Sequence, residues 1–266
     1  MHEDNQPGHT IRVEHLRFEI EGRTILNDVS FAVNAGEIFG IMGMSGSGKS
    51  TILKCLMGLI PVTSGQICIC GQPIVGKTED ELNEVRKDMG MAFQYSALFD
   101  SMTAAENVAF GLRHQQKIRD EKQIQRRVDE YLEVVDMGAY GDYMPSDLSG
   151  GMRKRIGIAR ALVVEPQVML YDEPTSGLDP VTAGHINELI VRLRDRFQTT
   201  SVVVTHEVRR LFRVADRVTM LGNNTVLATG TPEELRQSDV EHVRQFVEGD
   251  HAGPLGPEVR PEQSTG

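Results

Sequence analysis

The chain has 266 residues, enough for one large domain or two small ones. Its hydrophobic share of 39% and charged share of 25% fit a globular fold, and a net charge of −10 argues against a general nucleic-acid or anionic-membrane binder. No apolar run approaches the roughly 18–20 residues that span a bilayer, and the opening MHEDNQPGHT is polar and acidic, so no signal peptide is expected.

In chain order, residues 11–40 alternate apolar and polar positions and break at Glu21-Gly22-Arg23, which predicts antiparallel strands. IFGIMG follows as a buried strand, and a helix is expected over 50–57. SGQICICGQPI reads as a further hairpin strand, with Cys68 and Cys70 on one face. These cysteines read as core packing, because no further zinc ligands stand nearby.

Between Thr78 and Ser149 the spacing of apolar residues is helical, as in EDELNEVRKDM and DEKQIQRRVDEYLEVVDM. From Arg153 the pattern becomes helix, strand QVMLYDEP, helix VTAGHINELIVRLRDRF, strand TSVVVTHE, helix VRRLFRVA and strands RVTMLGNNTVLATG. Alternating strands and helices predict a largely parallel sheet with an inserted helical subdomain. The end, DHAGPLGPEVRPEQSTG, is rich in Pro and Gly.

Three stretches carry chemistry. GMSGSGKST at 43–51 matches G-x-x-x-x-G-K-[ST] between a buried strand and a helix. The loop Gly43, Met44, Ser45, Gly46, Ser47 and Gly48 can aim N–H groups at phosphate, Lys49 can reach the β- and γ-phosphates, and Ser50, with Thr51 beside it, can ligate Mg²⁺. VMLYDEP ends a strand in two carboxylates: Asp172 suits Mg²⁺ and Glu173 suits deprotonating a water. LSGGMRKR sets a serine and two glycines before an expected helix over 153–164, followed by three cations. Cations near a helix start are disfavoured by roughly 0.3–1 kcal/mol each, so an anion on the free N–H groups is expected.

Together these motifs resemble the ABC transporter ATPases. GMSGSGKST is similar to the family's Walker A, VMLYDE to Walker B and LSGGM to the ABC signature. Gln94 in MAFQYSALF resembles the Q-loop glutamine, Asp179 in SGLD the D-loop aspartate and His206 in VVVTHE the switch histidine. The resemblance implies an α/β P-loop NTPase fold with a RecA-like core, an antiparallel β subdomain and a helical subdomain at about 95–160, the whole covering 8–245. It also implies a head-to-tail homodimer holding two ATP and Mg²⁺. There Ser149, Gly150, Gly151 and Met152 of one copy meet the γ-phosphate of the ATP on the other. Glu173, His206 and Gln94 would be catalytic, and Ser50, Gln94 and Asp172 would hold the metal.

Where many relatives stack adenine on an aromatic ring, this chain has Ile20 and Glu21, with Phe18 two positions out of register. Met152, in place of the usual Gln, and FQYSALFDSMTAAENVAF at 93–110 are similar to the ATPases of MCE-type lipid transport systems such as Mla. That resemblance implies phospholipid cargo passed through an integral-membrane permease, with an MCE-domain and a STAS-domain protein as partners. It places the chain peripherally on the cytoplasmic face of the bacterial inner membrane, with no nucleic-acid partner. Residues 94–107 are expected to receive a permease helix, and 246–266 to reach the opposite subunit. The alternatives are a polar-solute importer and a non-transport ABC ATPase.

Overall fold

The computed structural model describes residues 9–249; the expected cross-subunit extension lies largely outside them. Strands β1 (His9–Ile20) and β2 (Arg23–Asn34) form a long antiparallel hairpin, and β3 (Ile38–Gly43) leads through the glycine loop into helix α1 (Lys49–Leu56). β4 (Ser64–Ile69), β5 (Gln72–Pro73), α2 (Glu79–Arg86) and β6 (Met89–Ala92) follow. Next come α3 (Ala104–His114), α4 (Glu121–Val134), α5 (Gly150–Leu162), β7 (Val168–Asp172), α6 (Pro180–Phe197) and β8 (Thr200–Thr205). The described chain closes with α7 (Val208–Leu211), β9 (Arg217–Gly222), β10 (Thr225–Gly230), α8 (Pro232–Arg236) and α9 (Glu241–Glu248).

Two sheets result. One is antiparallel in the order β2-β1-β4-β5. The other runs β10-β9-β3-β8-β7-β6, parallel from β9 to β6 with β10 antiparallel at one edge. The central strands β3 and β8 are buried throughout because both faces are covered. Their two-residue period sorts them between two cores. Ile38, Met42, Met169, Tyr171 and Val203 face the core shared with α3–α6. Phe39, Ile41, Val168, Leu170, Val202 and Val204 face the core shared with the antiparallel sheet.

Several elements depart from expectation. Strand β6 lies inside the segment read as helical; it is four buried residues paired in parallel with β7. Cys70 falls in the turn after β4 with φ 48°, so it does not share a strand with Cys68. The helix expected over 208–215 is a single turn, α7. Helix α5 begins at Gly150, three residues before the expected start. Ser149 is its N-cap and its Oγ accepts the Met152 N–H at 3.3 Å.

Asn107 is fully buried rather than part of a surface groove. Its Oδ1 accepts the Phe99 N–H at 2.8 Å, and its Nδ2 donates to the carbonyls of Phe99, Met102 and Thr103. These bonds hold the loop whose outer face exposes Phe93, Tyr95 and Phe99.

Candidate active site

The phosphate loop joins two rigid elements, a buried strand and a helix, and its glycines meet definite demands. Gly43, Gly46 and Gly48 have φ of 153°, 81° and 94°. A Cβ at Gly43 would sit 2.4 Å from the Leu221 carbonyl oxygen, and one at Gly48 would sit 2.7 Å from Leu26 Cδ2. Gly48 is the N-cap of α1 and supplies no side-chain cap. The first N–H groups of α1 therefore remain free for an anion, at the positive end of the helix dipole.

Lys49 is buried, and its Nζ donates to the carbonyls of Gly43 and Met44, each at 2.8 Å. Burial pushes its ammonium below the usual lysine range, while Glu173 and Asp172 push it back up. Ser50 Oγ donates to Asp172 Oδ1 at 2.9 Å, joining α1 to the end of β7. Burial raises the Asp172 carboxyl above its ordinary range, against the pull of Ser50, Lys54 and Lys49.

Glu173 departs from the strand geometry that its neighbour keeps. Its φ is 46°, so the turn after β7, not strand alternation, separates the two carboxylates. It is 7% exposed. Its Oε2 accepts from Thr205 Oγ1 at 3.1 Å, and its Oε1 lies 2.9 Å from His206 Nδ1. Thr205 Oγ1 in turn accepts the Glu207 N–H at 3.1 Å, and Glu207 Oε2 accepts from Thr175 Oγ1 at 2.5 Å. A carboxylate so fixed, beside an exposed imidazole, can orient a water and take its proton.

Part of this set lines one pocket of about 420 Å³. Ser45, Gly46, Gly48, Lys49, Ser50 and Thr51 form its floor, and Gln94, Glu173 and His206 form its far wall. The residues present fit a magnesium nucleotide. A buried Ser47 Oγ has no partner among the described residues, a Cβ at Gly46 would meet open space, and Ser50 with Asp172 offers hard oxygen ligands. Ile25 also lines the pocket, whereas Ile20 is 53% exposed at the strand end and Phe18 packs into the core. No Phe, Tyr or Trp is among the described lining residues.

The signature lies apart from this pocket. None of Ser149–Met152 lines it, and Asp179 serves as the N-cap of α6, accepting the N–H groups of Val181 and Thr182 at 3.0 Å each. Gly151 packs against α6, where a Cβ would sit 2.5 Å from Thr182 Cγ2. The three cations that follow are all turned to their own subunit. Arg153 donates to the Pro145 and Leu148 carbonyls, Lys154 to those of Gln94 and Glu173, and Arg155 to Val135 and Asp136.

Sequence reasoning missed Thr205, Glu207, Ile25 and Lys154. For Lys154 a signal existed: it lies three residues after Gly151 and four before Ile158, on the buried stripe of α5.

The ABC transporter family matches residues 26–176. The chain belongs to that family. It is 40% identical over 245 residues to the intermembrane phospholipid transport system ATP-binding protein MlaF of Haemophilus influenzae, with 92% of each chain covered. It is also 40% identical over 258 residues to the probable ribonucleotide transport ATP-binding protein mkl of Mycobacterium leprae, covering 97% of this chain and 74% of that one. Among solved structures it is similar to the dimeric post-hydrolysis cassette MJ0796 bound to ADP and Pi, with 30% identity and a TM-score of 0.77. That match covers 84% of this chain and 98% of MJ0796. This ABC transporter ATPase therefore binds and hydrolyses ATP, and cassettes of its kind dimerise and work with membrane permeases. Among the described residues, no helix is long and apolar enough to cross a membrane.

Proposed function

We propose that the chain closes as a homodimer around two magnesium-bound ATP molecules and uses that motion to drive phospholipid through a separate permease. The match to MlaF over 92% of both chains carries the lipid reading. Lys49 exchanges its loop carbonyls for the β- and γ-phosphates, while the free amides of residues 43–51 cradle them. Ser50, Asp172 and Gln94 hold Mg²⁺, which when bound offsets phosphate charge. Glu173 takes the proton of the attacking water, and His206 bonds the γ-phosphate.

Half of each site comes from the other copy. The Ser149 hydroxyl and the amides of Gly150, Gly151 and Met152 meet the γ-phosphate bound across the interface, and Asp179 crosses beside them. This reading keeps 8–245 as the ATPase domain, 95–160 as its helical part, and 246–266 as an extension to the opposite subunit. A permease sits over the exposed Phe93, Tyr95 and Phe99. An MCE-domain protein and a STAS-domain protein complete the assembly at the cytoplasmic face of a bacterial inner membrane.

The name of mkl supports a second reading, a polar ribonucleotide cargo. Reconstitution with the permease in vesicles separates the two. The expected result is ATP-dependent movement of labelled phospholipid that stops in Glu173→Gln. Ribonucleotide uptake without lipid movement overturns the lipid reading.

A further inference from the structure

Helix α5 does more than present the signature. Three non-glycine residues with left-handed backbones stand near α5: Ser96 at φ 62° and Ala97 at 46°, just after Gln94, and Glu173 at 46°. Such backbones cost about 1–2 kcal/mol each and persist only where their surroundings hold them. In all three, the carbonyl oxygen accepts from a cation of α5. Arg160 donates to Ser96 at 2.9 Å and to Ala97 at 2.6 Å, and Lys154 donates to Glu173 at 3.1 Å. Lys154 also donates to the Gln94 carbonyl.

We propose that Lys154 is a positioning residue, tying the signature helix to the backbones of Gln94 and Glu173 so that all three shift together. The proposal rests on reading Glu173 as the base. Lys154 is 8% exposed and is not among the pocket-lining residues, so it acts through the backbones it holds. Its bond to the Glu173 carbonyl and the bond from the Glu173 N–H to Val204 at 2.9 Å hold that residue from both sides. The side chain is then fixed by Thr205 and His206. Any displacement of the start of α5 by a phosphate across the interface is passed to the base in its own subunit. Lys49 differs in kind, because its side chain lines the pocket and its amine, bonded to the Gly43 and Met44 carbonyls, would leave them for phosphate.

The test is steady-state hydrolysis by the full-length chain, together with the affinity for a fluorescent ATP analogue. Lys154→Met is expected to lower kcat about tenfold or more while nucleotide affinity stays within about threefold. Lys154→Arg, which keeps the charge and the donors, is expected to recover most of the rate. Lys154→Gln keeps an N–H donor at similar volume; it serves if the methionine variant fails to fold, and a smaller loss confined to kcat is expected. An unchanged kcat overturns the proposal, as does a fall in affinity that matches the fall in kcat, or no recovery with arginine. Glu173→Gln run in parallel separates the layers. If it hydrolyses normally, the base reading fails and the tie with it; if it is silent while Lys154→Met is normal, the tie alone fails.

Discussion

Helices α1 and α5 present their N-termini to the two halves of the proposed composite site, and they are finished differently. At α1 the cap is Gly48, no side chain closes the first turn, and Lys49 lies in the pocket. At α5 Ser149 closes the first turn, and Arg153, Lys154 and Arg155 all point into their own subunit. The Ser149 bond is 3.3 Å long, beyond the usual 2.9–3.0 Å. In the proposed site it would be exchanged for a bond to a phosphate oxygen. There, one helix end would hold an anion within its own subunit; the other would offer a hydroxyl and a dipole to an anion held by the partner.

The strongest way to break this contrast is at α1. Lys49→Ala is expected to reduce ATP turnover by roughly 10²–10³, measured as phosphate release; unchanged release would mean that α1 is not the primary anchor. The middle effect is at α5. Gly151→Ala places a methyl against Thr182 and should cost about 1–3 kcal/mol in thermal or denaturant unfolding. Adding Thr182→Ser removes the opposing Cγ2 and should restore most of it. No restoration would mean that the glycine is needed for something other than its packing on α6. The smallest effect is at the base. Ile20→Tyr should lower KM for ATP and GTP alike by roughly fivefold, since stacking at a partly open site is worth about 1 kcal/mol on any base. A change in the ATP-to-GTP ratio would show that selectivity is read at this strand end.

What could be read from the sequence follows how local each signal is. The phosphate loop, Asp172 and Glu173 were legible because strand, glycine turn and helix are contiguous, and the pocket does bring Lys49, Ser50, Gln94, Glu173 and His206 to one place. The start of α5 was misplaced because two glycines have poor helix propensity. Packing on Thr182 and the Ser149 cap override that preference. Strand β6 was hidden because four residues, MGMA, show no period of their own; only pairing with β7 makes them a strand. The Lys154 bridge reaches a carbonyl 60 residues away, a relation that no window along the chain contains. The proposed roles of Ser149–Met152 in a partner's site lie beyond one chain altogether.

The position of β3 has a consequence for how the protein is made. This strand carries the phosphate loop, yet both its neighbours, β8 and β9, come from the far end of the described chain, with Ile38 opposite Ser201 and Phe39 opposite Arg217. On a ribosome adding roughly 5–20 residues per second, the loop emerges on the order of ten seconds before its flanking strands exist. Until they arrive, the loop lacks the two strands that flank its root, and Thr205 and His206 are not yet made. A nascent chain is therefore expected not to spend ATP before β8 and β9 have emerged.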